Sequence, residues 1–530
     1  RNPFSTGIRS RSESVSFFAP PLLSPDPDAH MPVEHLSEFL DVLAERGELV
    51  RVSAEVNSHL ELAAVARRAA EQPGSPALLF DNVGGKSIPV VTGLFNTAER
   101  TCRELGVESL EEIADRITAL VRPSLPSGWL EALHLVPNLA EATQWPVRTV
   151  ETAMVQQVVH MGSDVDLARL PVPVCWGQES RPTLTAGQIL IEEQHDGGSS
   201  TDESAPTIVR HVSRVPVQIV DRNTVDVYWT PHDSEWQLVK KAEKAGQQLS
   251  IAIALGGDPA VTFAAGAPLP PFVDPLVFAG FLRRQNVNVI RGRSIETLVP
   301  ADAEIVLEGM IDPARTFVDA STIGTPTGYY DTRCLAVRVT ITAITHRANP
   351  VLPVIIPAAP PSEDGWLAHA AERIFLPLVR LTIPELIDLR LPASGDHRNI
   401  AFASIRKSWP QQARKVMNAL WGMDRLSNVK MLVVVDENVD VQNDDAVWSA
   451  VGANSHPGRD TIFSAGPADM LDHAAPVRGV GHRMGIDATS KSAEEGHPRA
   501  WPVALEVDEE TAQLVAQRWQ NYGITNRKPV

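Results

Sequence analysis

The order of apolar patterns along the chain divides its 530 residues into three blocks of different character. From residue 34 to about residue 120, amphipathic helical stretches alternate with short apolar strands, which is typical of an α/β unit. From about residue 147 to residue 330, period-two alternation predicts mostly strands, separated by glycine, proline and aspartate. From about residue 335, helical and apolar strand patterns alternate again. We therefore expect an α/β domain on each side of a β-barrel that carries inserted helices.

Changes in composition place the expected boundaries between these blocks. Residues 1–30 are rich in serine, proline and arginine, and Met31 opens a helical pattern. Residues 1–30 are therefore interpreted as a leader or an added segment, with a targeting peptide as the alternative. The N-terminal α/β domain is expected at residues 31–146 and the central domain at residues 147–334. The C-terminal α/β domain, with a terminal helix, is expected at residues 335–530.

Composition limits the compartment and the partners. The formal net charge of -18 argues against binding to nucleic acid or to an anionic membrane surface, because both need a basic field. No apolar run approaches the ~20 residues of a membrane span, so none is expected. Cys102, Cys175 and Cys334 are odd in number and widely spaced, which fits neither a disulfide framework nor a metal site. A cytoplasmic location is the natural expectation.

Seven motifs occur in a fixed order along the chain. The longest runs from Pro300 to Tyr330, PADAEIVLEGMIDPARTFVDASTIGTPTGYY. The other six are DRNTVDVYW, ALGGDPAV, PPSEDGWLAHAAERIFLPL, QQARKVMNALWG, VVVDENVDV and MGIDATSK. In combination these motifs resemble those of the UbiD family of decarboxylases, and the resemblance covers about Met31 to Gly523.

This resemblance implies a fold, a cofactor and a reaction. The family has an N-terminal α/β domain, a central split β-barrel that binds flavin, and a C-terminal α/β domain that forms homodimers or higher oligomers. Its members use prenylated FMN, which a flavin prenyltransferase supplies, to remove CO2 from an unsaturated or aromatic carboxylic acid. The cofactor acts as the electron sink, and the protein supplies position, charge and a proton.

The positions at which the family binds its metal are changed in this sequence. Family members hold the flavin phosphate through a divalent metal and a potassium ion, and their Asn, His and Glu ligands fall on His211, Ser234 and Pro275. A divalent metal at a phosphate prefers hard oxygen ligands with at least one negative charge. These residues do not supply that set, so the metal ligands stay unassigned and both ions are in question. His232 and Asp274 lie close by in sequence and are the candidates for a rebuilt site.

A second interpretation needs no metal. Arginine binds phosphate through two parallel hydrogen bonds, so Arg210 or Arg214 can contact the flavin phosphate directly, together with His211. His232 is a further candidate for cofactor binding. Lys430, at the start of the VKMLVVV strand, is another candidate for the phosphate region, although a strand-end lysine without a ligand is the simpler interpretation.

The catalytic positions are changed as well. The family arginine falls on Pro216, and its two glutamates fall on Thr325 and on either Asp319 or Ala320, depending on one inserted residue. Period-two alternation puts Arg214 on the same face as Pro216, so Arg214 is the candidate to replace the lost arginine. A solvent-exposed strand arginine is the alternative.

These changes weaken the usual chemistry. Asp319 can donate a proton if burial raises its pKa, and the alternative is a loop aspartate that caps a turn. Thr325 can form hydrogen bonds but is no acid near neutral pH. We therefore predict a UbiD-like carboxy-lyase with a remodelled active site that acts on an unsaturated or aromatic carboxylic acid of specialised metabolism. The alternatives are a reaction without net decarboxylation, or a non-catalytic partner of an intact paralogue.

Overall fold

The computed structural model describes residues 35–121, 145–195, 207–270, 273–332, 335–423, 425–503, 505 and 507–523. The expected leader at residues 1–30 and Cys334 lie outside these ranges. The helices of the described part are α1 (Leu36–Glu45), α2 (Glu61–Ala70), α3 (Ala98–Glu104), α4 (Leu110–Val121), α5 (Ser234–Ala245), α6 (Pro259–Ala264), α7 (Pro275–Arg283), α8 (Glu363–Thr382), α9 (Gln412–Trp421), α10 (Asp444–Asn454), α11 (Pro457–Asp460) and α12 (Glu509–Arg518). None of them combines the length and apolar character needed to cross a membrane.

The strands within the described ranges belong to five sheets. They are β1 (Leu49–Val52), β2 (Ala77–Phe80), β3 (Val90–Thr92), β4 (Arg148–Thr149), β5 (Val158–Met161), β6 (Thr183–Leu184), β7 (Gln188–His195), β8 (Thr207–Ser213), β9 (Val217–Ile219), β10 (Thr224–Val227), β11 (Leu249–Leu255), β12 (Asn288–Arg291), β13 (Leu298–Pro300), β14 (Ile305–Ile311), β15 (Phe317–Asp319), β16 (Ile323–Gly324), β17 (Tyr330–Asp331), β18 (Leu335–His346), β19 (Leu352–Pro353), β20 (Leu386–Arg390), β21 (Ile400–Ile405), β22 (Met431–Asp436), β23 (Thr461–Pro467) and β24 (Val480–Asp487).

The N-terminal unit is a small α/β layer. Its sheet has the order β1-β2-β3-β19, so its last strand comes from much later in the chain. The predicted apolar face of α1 is confirmed, because Leu36, Phe39, Leu40 and Leu43 are all buried. Burial of this face, rather than helix propensity, holds a helix of this length in place.

The central unit is a ten-stranded sheet with the order β6-β9-β10-β18-β14-β11-β7-β8, while β15 and β5 pair with β18. The mixed α/β fold class with a central β-rich part is confirmed. The domain boundary expected at residue 334 falls immediately before β18, yet β18 pairs along its length with β14 and β10. The strand therefore completes the central sheet. Its alternating pattern predicts a strand but carries no information about the sheet that it joins.

The C-terminal unit is a five-stranded sheet with the order β20-β21-β22-β24-β23. The interpretation of VKMLVVV as a buried parallel strand is confirmed, because β22 runs parallel to both β21 and β24. Helix α8 leads from the central unit into this one. Its residues Ile374 and Phe375 pack into the core shared by the first two units, while Leu376 packs into the C-terminal core.

Candidate functional site

The buried carboxylate of Glu179 anchors the hairpin of β16 and β17. Glu179 accepts hydrogen bonds from the backbone N–H groups of Cys175 at 2.7 Å and of Trp176 at 3.1 Å, and from that of Gly324 at 2.7 Å. Gly324 lies so close to the indole of Trp176 that a β-carbon there would overlap the ring. The hairpin therefore owes its position to a carboxylate that the sequence interpretation missed, although its place beside Trp176 in CWGQE gave no distinctive signal.

Thr325 is used inside this hairpin. Its hydroxyl lies 2.8 Å from the Tyr329 carbonyl oxygen, to which it donates, and 2.8 Å from the Thr327 hydroxyl. Only 4% of Thr325 is exposed. The side chain at one expected glutamate position therefore closes a turn. A hydroxyl held in this way stiffens the backbone and has no proton to spare for a substrate.

Asp319 and Ala320, the two alternatives for the other glutamate, have different surroundings. Asp319 ends β15 and is exposed to solvent. Ala320 packs against a small buried cluster formed by Tyr228, Ile323 and Ala336. An apolar cluster thus lies beside Ala320, while the carboxylate of Asp319 is at the surface.

A polar row lies on the sheet face next to Pro216. Cross-strand register places Gln218 beside Asp226 and Asp226 beside Arg338, so the three side chains share one face. Arg338 donates two hydrogen bonds to the fully buried Asp226, at 2.8 and 2.9 Å. Alternation puts Pro216, two residues before Gln218, on the same face. The sequence interpretation missed this pair, and only strand register could have revealed it.

Arg214 immediately follows β8 and is held by the first turn of α8. Its Nη1 donates to Asp364 Oδ1 at 2.9 Å, and both side chains are mostly buried. The Nε atom of Arg214 is buried and has no hydrogen-bond partner among the described residues. Asp364 neutralises much of the guanidinium charge, yet an unpaired N–H donor remains beside Gly266.

The three expected metal positions lie around β8. His211 Nδ1 is 3.4 Å from the hydroxyl of Ser234, the first residue of α5. Arg210, the neighbour of His211, forms an ion pair with Asp274, which caps the helix that begins at Pro275. The chain thus brings these positions near one strand, but they carry an imidazole, a hydroxyl and a proline.

The residues present do not fit a divalent metal. Asp274 is paired with Arg210, and His232 is an exposed residue of the turn before α5. No group of three or more His, Cys, Asp or Glu side chains in the described ranges is arranged to hold a metal ion. Arg210 also donates to Glu192 at 3.0 Å, so two carboxylates already satisfy it.

A phosphate group fits the same place better. The Nε2 atom of His211 is buried and has no hydrogen-bond partner among the described residues. The other ring nitrogen, Nδ1, lies beside Ser234 at the N-terminus of α5, where free backbone N–H groups and the helix dipole favour an anion. The imidazole of His211 thus differs from the metal ligand expected at this position, and the same imidazole can bind a phosphate oxygen.

His232 and Lys430 point toward a contact between the central and C-terminal units. A β-carbon on Gly479 would lie 3.8 Å from the His232 ring. Lys430 donates to Asp472 at 2.8 Å. The segment that includes Asp472 and Gly479 also meets the β16–β17 hairpin. The structure therefore places Lys430 on the C-terminal side of this contact.

Two further contacts join the β16–β17 hairpin of the central unit to the C-terminal unit. The ring of His473 lies 4.1 Å from that of Tyr329, measured between centroids. Arg478 forms an ion pair with Asp331. These contacts attach the hairpin that carries Thr325 to the C-terminal unit, so the candidate site lies between two domains, as many ligand sites do.

Two buried carboxyl groups, Glu363 and Glu104, lie near the helix start that holds Arg214. Glu363, next to Asp364, is fully buried, and burial raises its pKa to about 7. Glu104 is also buried, and both of its carboxylate oxygens are without a hydrogen-bond partner among the described residues. Burial, reinforced by Glu363, raises the pKa of Glu104 well above its usual value. The helical pattern that contains Glu363 gave no sign of this perturbation.

Comparison with known proteins agrees with the fold. An uncharacterized protein of Aquifex aeolicus is 36% identical over 490 residues, which cover 92% of this chain and 98% of that protein. The UbiD-class enzyme HmfF from Pelotomaculum thermopropionicum, solved in complex with FMN, is 30% identical, with a TM-score of 0.71 over 89% of this chain and 97% of that one. The closed form of vanillic acid decarboxylase from Sedimentibacter hydroxybenzoicus is 25% identical, with a TM-score of 0.79 over 92% of this chain and 99% of that one.

Three family models match successive parts of the chain. The N-terminal domain of 3-octaprenyl-4-hydroxybenzoate carboxy-lyase matches residues 40–117, and its Rift-related domain matches residues 148–360. Its C-terminal domain matches residues 365–488. With a relative of 36% identity over almost the whole chain, these matches establish the family: the protein is a member of the UbiD family.

Proposed function

We propose that this protein is a UbiD-class carboxy-lyase that binds prenylated FMN and acts on an unsaturated or aromatic carboxylic acid through a remodelled site. The observation that carries the proposal is the imidazole of His211, whose Nδ1 lies beside Ser234 at the N-terminus of α5 and whose buried Nε2 has no hydrogen-bond partner in the described part of the chain. It lies on the strand where the family places its flavin phosphate. The relative that is solved with FMN covers 89% of this chain.

The chain's own residues divide the work of binding. His211 and the first turn of α5 hold the phosphate end without a divalent metal, since Ser234 and Pro275 supply no charged ligand. When bound, the cofactor supplies an electron sink for the carbon–carbon bond that breaks. His232 and Lys430 lie in the wall toward the C-terminal unit and contribute positive charge or hydrogen bonds at the edge of the cofactor.

Arg214 is the proposed partner of the substrate carboxylate. Its unpaired Nε–H can donate to a carboxylate oxygen, while Asp364 holds the guanidinium in place. Asp319 is the proposed proton donor, and its exposure means that the bound substrate must exclude water from it. In this proposal Thr325 has a structural role, because its hydroxyl stabilises the turn of the hairpin.

A metal-independent cofactor site gives the first test. The chain co-expressed with a flavin prenyltransferase is expected to carry a flavin chromophore that survives dialysis against EDTA. His211→Ala should weaken flavin binding at least ~10-fold, the cost of roughly one charge-assisted hydrogen bond. His456→Ala, on the C-terminal unit, is the matched control and should bind as the parent does. Binding is measured by flavin fluorescence, and loss of the chromophore in EDTA would contradict the metal-free site.

A non-catalytic role is the second candidate, and the apolar cluster of Tyr228, Ile323 and Ala336 beside Ala320 favours it. CO2 release from a panel of aromatic and unsaturated acids separates the two. Exchange of substrate C–H hydrogen for deuterium, without CO2 release, would indicate a reaction that does not decarboxylate. A flavin-loaded protein that shows neither, and that co-purifies with an intact paralogue, would replace the lyase proposal with the non-catalytic one.

A further inference from the structure

Two histidine side chains face each other where strand β5 joins the central sheet. Strand register pairs His160 with Ile344 and His346 with Val158, so the two histidines are diagonal neighbours on one face. Their Nε2 atoms are 3.4 Å apart, and their ring centroids are 5.5 Å apart. Both side chains are partly exposed, so solvent and small ions can reach the pair.

The surroundings of His346 leave its Nε2 atom as an acceptor. Its Nδ1 lies 2.6 Å from the Arg347 carbonyl oxygen, which can only accept, so Nδ1 carries the proton and donates. In a neutral imidazole the other nitrogen then keeps its lone pair, which is the one that binds a metal ion. A histidine that ligates a metal almost always donates its second ring N–H to an oxygen in this way.

The carbonyl that orients His346 is itself held in place. The backbone N–H of Arg347 donates to the Glu304 carbonyl oxygen at 3.0 Å, and the Arg347 guanidinium pairs with the buried Glu304 carboxylate. The next residue, Ala348, donates its N–H at 2.8 Å to the side chain of Gln157, which lies just before β5. The orientation of His346 therefore does not depend on its contact with the other imidazole.

His160 is the adaptable half of the pair. Its Nδ1 lies 3.3 Å from Arg169 Nη1, which donates to it, so the proton of a neutral His160 is on Nε2 and faces His346. A metal ion at Nε2 takes the place of that proton, which moves to Nδ1 through solvent, and the exposed Arg169 side chain turns away. An exposed contact of this kind contributes little to stability, so its loss opposes binding only weakly.

The separation of the two nitrogens matches that of two ligands of one metal ion. Zinc binds imidazole nitrogen at about 2.0–2.1 Å with tetrahedral angles, which sets two such nitrogens roughly 3.3–3.4 Å apart. The Nε2 atoms of His160 and His346 are 3.4 Å apart with both strands in place. That gap is long for a hydrogen bond, since N–H donors in proteins mostly lie about 2.7–3.2 Å from their acceptors.

The charges around the pair permit a cation. Burial lowers the pKa of His160, the charges of Arg169 and His346 add to this effect, and Asp164 acts in the opposite direction. The imidazole is therefore neutral at neutral pH, as a metal ligand must be. Asp164 lies in the exposed turn Gly162–Asp164 that follows β5, so its carboxylate is a candidate third ligand. The net charge of -18 also favours cations at the surface of the chain.

We propose that His160 and His346 form a binding site for one divalent transition metal ion of the zinc type, which ties the edge strand β5 to β18. Imidazole nitrogen suits Zn²⁺ and its neighbours, whereas Mg²⁺ and Ca²⁺ prefer oxygen. Two imidazoles leave coordination positions for Asp164 and solvent, so the site is open. Among the described residues β5 pairs only with β18, and a shared ion gives this strand a second attachment.

Isothermal titration of Zn²⁺ into the full-length chain, stripped of metal with EDTA and then freed of EDTA, tests the site. The parent is expected to bind Zn²⁺, and His346→Ala should weaken binding at least ~10-fold, since loss of even a supporting residue costs about 10–100-fold. His160→Gln should do the same while it keeps a side-chain N–H for His346, which guards against a loss caused by misfolding. His482→Ala, at an exposed position of β24, is the control and should bind as the parent does.

Thermal unfolding gives a second readout. Zn²⁺ should raise the unfolding midpoint of the parent, because an ion that binds the folded chain stabilises it, and should leave that of His160→Gln unchanged. Mg²⁺ should shift neither midpoint. His211→Ala should keep the full response to Zn²⁺, which separates this pair from the strand where the family places its metal.

Three results would overturn the proposal. The first is a parent that binds no Zn²⁺, and the second is equal Zn²⁺ affinity in the parent and His160→Gln. The third is a response to Zn²⁺ that disappears in His211→Ala, because the ion would then occupy the region of β8 rather than the contact between β5 and β18.

Discussion

Replacing Glu179 with alanine is expected to lower the free energy of unfolding by roughly 4 kcal/mol, from three hydrogen bonds to a charged acceptor at about 1.5 kcal/mol each. The N–H groups of Cys175, Trp176 and Gly324 would lose their buried acceptor together. Because these groups join the segment around Trp176 to the β16–β17 hairpin, the hairpin that carries Thr325 should detach. Urea unfolding followed by tryptophan fluorescence measures the loss.

Two further variants test whether the loss of stability comes from the Glu179 hydrogen bonds or from any substitution in this segment. Glu179→Gln keeps one amide oxygen as an acceptor and should lose about half as much stability. Gln178→Ala changes only the exposed neighbouring side chain, while its backbone N–H, which donates to Tyr330, is retained. It should unfold at the urea concentration of the parent. If Glu179→Ala does so too, the hairpin is held by other contacts.

Replacing Glu363 with glutamine is expected to remove a pH dependence of stability of up to about 3 kcal/mol, from 1.36 kcal/mol per pKa unit. Burial raises the pKa of Glu363 from 4.5 to about 7. Between these values the unfolded chain loses the proton while the folded chain keeps it. The free energy of unfolding of the parent should therefore fall as the pH rises from about 4.5 to 7, and level off above 7.

Glu363→Gln keeps an uncharged acceptor for the Phe95 N–H. The variant should match the parent near pH 5 and exceed its stability near pH 8. Glu99→Gln, an exposed acid on α3, is the control and should follow the parent at every pH. Urea midpoints at pH 5, 6, 7 and 8 give the comparison, and an unchanged slope for Glu363→Gln would assign the pH dependence to other groups, Glu104 first among them.

The apolar patterns of the sequence correctly predicted those helices and strands whose packing follows from the pattern itself. The apolar spacing of α1 and the continuous apolar run of β22 each have one packing solution, because a helix buries one face and a parallel strand buries both. The family followed from motifs in a fixed order, and the comparisons confirm it. The boundary expected at residue 334 could not be found in this way, because β18 alternates like any strand and its partners lie elsewhere in the chain.

The state of the site residues depended on partners remote in sequence. Arg214 pairs with Asp364, which is 150 residues away, and Glu179 holds Gly324 across 145 residues. Arg210 pairs with Asp274 and Glu192, which are 64 and 18 residues away, whereas Thr325 is the exception and is bound within its own hairpin. A residue type indicates what a side chain can do, whereas its free donors and its burial are set by its neighbours in space.

By itself the sequence determined that this chain has the UbiD architecture, and it predicts that the family's metal and catalytic residue types are absent at the matching positions. Only the tertiary structure decided which polar groups remain available there. Within the described ranges, His211 and Arg214 each keep a buried nitrogen without a hydrogen-bond partner, while Thr325 and Arg210 are already bound by other groups. The physical reason is that hydrogen bonds and desolvation are determined by distance in space, and the chain brings those partners together only when it folds.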